Sequence, residues 1–158
     1  MTDPKTISFF VSGIPRTAGS KSYMGKNKRG KAIIVDSSGA AGAAWKQTVA
    51  AVARSKYTGK LLEGAIALHV IFWMKRPDSH FNAKGKLKPS APLYPTSNPD
   101  RTKMLRSLED ALTGILWKND SQVVSGPTDK RYALALGPGA SVSVCCVRQP
   151  TGRDAEVS

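Results

Sequence analysis

The chain has 158 residues, a formal charge of +13 and a pI near 10.1, a length that suits one domain with a real core and a single active site. No apolar run approaches the roughly 20 residues needed to cross a bilayer and no signal-peptide core follows Met1, so a soluble intracellular protein is expected. The excess charge has no basic amphipathic helix with a wide apolar face beside it, which argues against an anionic membrane as its partner.

Residues 1–60 hold eleven lysines and arginines against Asp3 and Asp36, which makes the N-terminal third the expected polyanion face. Nucleic acid is the leading partner, because lysines and arginines that replace counterions on closely spaced phosphates gain the free energy of their release.

Ile7, Phe9 and Val11 alternate with Ser8, Phe10 and Ser12, which predicts a first strand closing at Gly13-Ile14-Pro15. A long basic loop is expected over 16–36, with Arg16, Lys21, Lys26, Lys28, Arg29 and Lys31 around Tyr23 and too few apolar residues to pack by itself. It reads either as a solvated charge run or as a DNA-contacting loop. Tyr23 and Gly25 favour the second, since an aromatic can stack at a branch point and glycine lets a backbone approach. Ala41, Ala44, Trp45, Thr48, Val49 and Val52 recur at helical spacing and predict a core helix over 40–55.

Residues 65–74 are apolar at almost every position except His69, as in a central strand covered on both faces. His69 itself reads as a hydrogen-bonded strand residue. Five prolines between Pro77 and Pro99 predict an irregular second loop over 75–99. It carries His80, Lys86 and Lys88, of which His80 is either a phosphate contact or a surface residue without a role. A two-faced helix is expected over 101–117, with Met104, Leu105, Leu108, Ala111, Leu112, Ile115 and Leu116 facing a core and Lys103, Arg106 and Asp110 facing out.

Short strands are predicted at 122–125, 130–136 and 140–147, the last two as a hairpin across Gly137-Pro138-Gly139. Residues 149–158 are expected to form a disordered tail after a single domain over 1–148. Cys145 and Cys146 are adjacent in a strand and point to opposite faces, so they read as reduced, small buried residues. They and the distant His69 and His80 lack zinc-ligand spacing. Trp45, Trp73 and Trp117 read as core or dimer-interface aromatics. The whole predicts an α/β (α+β) fold, a small mixed β-sheet against two main helices.

Asp100 precedes the two-faced helix and Asp120 follows it. A segment returning along the helix would bring the second acid back toward the first, and acids inside so basic a chain suggest a divalent cation. Each has a plainer reading: Asp100 as a helix cap, Asp120 as a turn residue beside Asn119 and Ser121, and Arg106 with Asp110 as an i,i+4 ion pair.

The run Pro99-Asp100-Arg101-Thr102-Lys103-Met104-Leu105-Arg106, then Asp110-Ala111-Leu112-Thr113-Gly114, then Trp117-Lys118-Asn119-Asp120-Ser121-Gln122-Val123-Val124 resembles the signature of the RusA family of Holliday junction resolvases. Lys75-Arg76-Pro77 with His80, Gly85-Lys86-Leu87-Lys88 and Tyr94-Pro95 extend the likeness in a pattern of phage and prophage members. The resemblance implies a compact homodimer that binds four-way DNA and cuts two strands of like polarity with Mg²⁺, for which Mn²⁺ can substitute, in recombination and repair.

It makes Asp100 and Asp120 the carboxylates that hold the metal. The family's second acid falls on Thr102, its Asn on Lys103 and its lysine on Arg106. Thr102 then offers a hydroxyl or holds a metal-bound water, Arg106 and Lys103 stabilise charge on the phosphoryl oxygens, and Asp110 or Asp129 is a further candidate ligand. The Thr102 departure keeps an alternative open, a branched-DNA binding protein of the same fold with weakened catalysis. A nuclease acting on other branched or flapped DNA is a third reading.

Overall fold

The computed structural model describes residues 5–155. Seven strands, β1 (Ile7–Ser12), β2 (Lys21–Lys26), β3 (Ala32–Asp36), β4 (Ile66–Met74), β5 (Val123–Ser125), β6 (Thr128–Tyr132) and β7 (Gly139–Cys146), are interspersed with α1 (Gly39–Lys56), α2 (Arg101–Leu112) and the single turn α3 (Gly152–Ala155). The main sheet runs β1-β7-β4, with β5 and β6 in succession along the far edge of β4. β4 is antiparallel to β7 and parallel to β5 and β6, so the sheet is mixed.

Alternation on the strands creates the core. Ile66, Leu68, Val70 and Phe72 of β4 point the same way as Phe9 and Val11 of β1 and Val142 and Val144 of β7, and all are buried. Against them lie Trp45, Val49 and Ala53 of α1 and Met104, Leu108 and Leu112 of α2. Each large apolar side chain so enclosed contributes about 1.5–3 kcal/mol relative to exposure. The α+β fold, with a mixed sheet against two main helices, is therefore the one the sequence pattern predicts.

Several details differ from expectation. The 16–36 segment is not a loop throughout: β2 and β3 form a separate antiparallel hairpin, with Asn27 Oδ1 accepting the N–H groups of Arg29 and Lys31 at its tip. Helix α1 buries Gly42, Trp45, Val49 and Ala53, while Ala41, Ala44 and Thr48 stay exposed, because only one narrow stripe meets the sheet. β4 is central but covered on one face only, with His69 exposed on the other. Helix α2 ends at Leu112, where Gly114 takes a positive φ of 85° and its N–H bonds to Trp117 O. The turn that follows still buries Leu116 and Trp117.

The expected β6–β7 hairpin does not form. β6 pairs with one edge of β4 and β7 with the other, since a buried central strand needs partners for N–H and C=O groups on both sides. The 133–138 connection crosses the end of β4, with Ala133 N–H on Met74 O. Gly126 breaks β5 from β6 at φ 125°, where a Cβ would sit 2.0 Å from Leu68 O. Cys145 and Cys146 are free thiols, and both are half-buried where full burial was expected. In the segment expected to be a disordered tail, α3 forms with Asp154 accepting the N–H and hydroxyl of Thr151. Residues 156–158 of that tail and residues 1–4 lie outside the described residues.

Candidate active site

Asp100 stands at the N-cap of α2 but gives the helix no side-chain cap bond. Its exposed carboxylate lies 3.5 Å from Lys103 Nζ instead, and the positive end of the helix dipole favours its charge. The start of α2 is tied to β6 twice: Arg101 Nη1 donates to Thr128 O at 2.8 Å, and Lys130 Nζ donates to Ser97 O at 2.7 Å and Pro99 O at 3.1 Å. Thr102, with Arg101 and Leu105, borders a hollow closed by Gly126, Pro127 and Thr128.

Asp120 opens a 3-10 turn, Asp120–Gln122, capped by Asn119. Gln122 fixes that turn with both ends of its amide. Oε1 accepts from the N–H groups of Lys118 and Asn119, and Nε2 donates to Leu62 O and Gly64 O just before β4. The Asp120 side chain is exposed and bonds to no described residue. Its charge reaches Glu109 near the C-terminal end of α2: burial pushes the Glu109 carboxyl above its usual range, and repulsion from Asp120 and then Asp110 adds to the shift.

The two aspartates therefore flank α2 at opposite ends. Twelve helical residues rise about 18 Å at 1.5 Å each. The sheet repeats this separation, since Val123 pairs with Ile66 whereas Lys130, which touches Pro99, pairs with Phe72. The chain does return along the helix, as expected, but Thr128 and Lys130 arrive beside Asp100, not Asp120. Among the described residues no three His, Cys, Asp or Glu side chains gather to hold a metal ion. In one protomer the donors do not fit such a site.

Asp110 and Asp129 are engaged elsewhere. Asp110 is not paired with Arg106: Lys46 of α1 lies 3.7 Å from it and 3.9 Å from Asp36, linking both helices to the root of the hairpin. Asp129 points to the bare face of the sheet and bonds to Arg131 at 2.6 Å. Arg106 is exposed and forms no ion pair among the described residues.

The basic hairpin is mounted on this helix. Ala18 N–H donates to Lys103 O at 2.9 Å, and Ser20 and Ser37 close the root. Two bonds from Ser38 hold the Asp36 carboxyl below its usual range, with Lys46 and Lys21 reinforcing them. Lys21, Tyr23, Lys26, Lys28, Arg29 and Lys31 are exposed along the ribbon, as are Met24 and Ile34. Arg16 is exposed before it, and Lys86 and Lys88 are exposed in the proline-rich loop.

His80 reads from the sequence as either a phosphate contact or a surface residue without a role, and the structure gives its ring packing partners. Its ring meets Tyr132 edge-on with centroids 4.7 Å apart, and its Nδ1 lies 3.3 Å from Arg76 Nη1. Sequence reasoning missed the structural parts played by Arg76, Lys130 and Gln122. Only the polar character of Gln122 before two valines was a visible signal.

The endodeoxyribonuclease RusA family matches the chain over residues 15–144. The chain is also similar to the uncharacterized protein YqaN of Bacillus subtilis (strain 168), with 31% identity over 129 residues that cover 80% of this chain and 88% of that protein. No helix among the described residues is long and apolar enough to cross a membrane. The family match spans both helices, the basic hairpin and the main sheet apart from β1 and the last residues of β7, and with the uncapped Asp100 beside Lys103 it leads to one conclusion: the chain belongs to the RusA endodeoxyribonuclease family.

Proposed function

We propose that this protein is a structure-specific endodeoxyribonuclease that cuts four-way DNA junctions as a homodimer and requires Mg²⁺, with Mn²⁺ as a substitute. The observation that carries the reading is the arrangement at the start of α2: an exposed, uncapped Asp100 next to Lys103, whose backbone anchors a ribbon of lysines and arginines. Strand phosphates held by the ribbon lie beside that acid, and Lys103 and Arg106 supply positive charge for phosphoryl oxygens.

Because one protomer keeps Asp100 and Asp120 apart, the metal requirement is proposed for the paired form alone. A two-fold arrangement in which the exposed faces of α2 meet head to tail puts Asp100 of one protomer near Asp120 of the partner subunit, and does so twice. Two equivalent sites suit a junction with two equivalent scissile bonds. Mg²⁺ commonly uses one or two carboxylates and keeps several waters, so the loss of a third acid at Thr102 is compatible with binding.

The position of Thr102 also favours a second reading, a junction-binding protein with weakened cleavage. Incubating the protein with four-way, flap and duplex DNA, with and without Mg²⁺ or Mn²⁺, decides between them. Paired nicks confined to the four-way substrate support the first reading. Tight binding without cutting in either ion replaces it with the second, and preferential cutting of flaps in competition identifies a nuclease for other branched DNA.

A further inference from the structure

A cavity of about 400 Å³ lies at the C-terminal end of β4, between the proline-rich loop and β6, and its wall ends at Asn98 and Pro99, directly before Asp100. Arg76 lines it. This side chain is only 9% exposed and still has no carboxylate partner among the described residues. Its Nε donates to Ala133 O and its Nη1 to Pro92 O and to His80 Nδ1, while Tyr132 lies under the guanidinium at 5.3 Å. Nη2 bonds to no described residue, which leaves two N–H donors of a nearly buried cation without a protein partner in the cavity wall.

Holding two carbonyls and a histidine needs donors, not a net charge. Burying an unpaired cation is costly, and the cost falls when an anion completes it. Lys75 adds a second cation to the wall and Asp78 sets one acid against them. We infer that this cavity is a phosphodiester site, gripping through Arg76 and Lys75 a phosphate of the DNA strand next to the bond positioned at Asp100. The guanidinium fork matches the paired oxygens of a phosphate. The assignment of the strand rests on the nuclease reading above; the anion chemistry of the cavity does not.

The test uses the full chain without divalent ion, so that it is independent of cutting. Arg76 side-chain ¹⁵N signals are followed during titration with the dinucleotide d(TpT), its uncharged methylphosphonate analogue and inorganic phosphate. We expect d(TpT) to shift Arg76 and the neutral analogue not to. Arg76→Lys should weaken d(TpT) roughly tenfold, as removal of a charge-assisted bidentate grip does. Lys75→Ala, at an exposed position, should also weaken it, and Asp78→Asn should tighten it roughly two- to fivefold by removing a like charge.

Because Lys75 and Asp78 are exposed and their side chains bond to no described residue, those variants keep the test valid even if changes at Arg76 loosen the loop. No shift at Arg76, equal binding of the neutral analogue, or unchanged affinity in Asp78→Asn overturns the site. Displacement of d(TpT) by equimolar inorganic phosphate overturns the assignment to a strand. Dinucleotide binding without junction cleavage retires the nuclease reading and leaves the site standing.

Discussion

Ala18 donates its backbone N–H to the carbonyl of Lys103, so the ribbon β2–β3 and the helix that carries Asp100 are joined at the point where the ribbon's basic charge meets the acid. The ribbon's own side chains pack little, so its charges can be removed without disturbing the fold. Replacing Lys26, Lys28, Arg29 and Lys31 together by alanine should leave the circular dichroism unchanged. The slope of log affinity against log salt should flatten by about one for each DNA phosphate that no longer meets a protein cation. Anisotropy titrations at several salt concentrations measure this, and an unchanged slope would assign the ribbon another task.

Asp120 and Asp110 are both exposed acids near the C-terminal half of α2, but their surroundings differ. Asp120→Asn should abolish cutting of four-way DNA while binding persists. Asp110→Asn removes the Lys46 pair and a weak repulsion on Glu109 and should keep cleavage, with a stability loss below about 1 kcal/mol, as for a surface ion pair. Single-turnover cleavage and urea melts of the two variants separate these roles. Full activity in Asp120→Asn would remove that residue from the chemistry.

Adjacent positions on α2 should respond in opposite directions. Leu108 is fully buried, and Leu108→Ala should cost about 2–5 kcal/mol through lost transfer energy and a cavity. The buried Ser107 hydroxyl has no hydrogen-bond partner, so Ser107→Ala should raise stability by about 1 kcal/mol by relieving that group of its desolvation cost. Chemical denaturation reads both.

Glu109 makes stability depend on pH in a defined sense. Its carboxyl is raised in the folded protein by burial first, then by Asp120 and Asp110, so the folded state binds the proton more tightly than the unfolded chain. Stability from this group is then lost as pH rises from the ordinary value of 4.5 through the raised one. Glu109→Gln should melt higher than the parent at pH 7 and nearly with it at pH 4. Equal melting shifts at both values would count against burial as the cause.

What was legible in the sequence follows from where burial leaves a pattern. β1, β7 and the stripe of α2 each bury one face, and their alternation or helical spacing is visible in the residues, whereas β4 is apolar at nearly every position and so reads as a strand without revealing its uncovered face. The hairpin β2–β3 largely lacks that record: Tyr23, Ile34 and Val35 are paired across the ribbon yet exposed, so no period distinguishes its strands from a basic loop. The glycines and proline of 137–139 are a local turn signal, whereas the choice of β4 as neighbour for both β6 and β7 depends on residues far away in the chain. Placing Asp120 beside Asp100 assumed that the return along α2 is already complete at residue 120. It is complete only near Thr128 and Lys130. Arg76 stands in the sequence only within the Lys75-Arg76-Pro77 likeness, because nothing local tells that a proline-rich loop closes over it.

Gln122 has a wider consequence. By grasping Leu62 and Gly64 on one side and the backbone before Asp120 on the other, its amide indexes this acid to the leading end of β4. A slip of that strand by two residues, the smallest that keeps its apolar face inward, would drag the carboxylate about 7 Å at 3.3 Å per residue. The sheet thus serves as the ruler for the aim of Asp120, and Gln122→Leu should misalign it without touching DNA or loosening the interior.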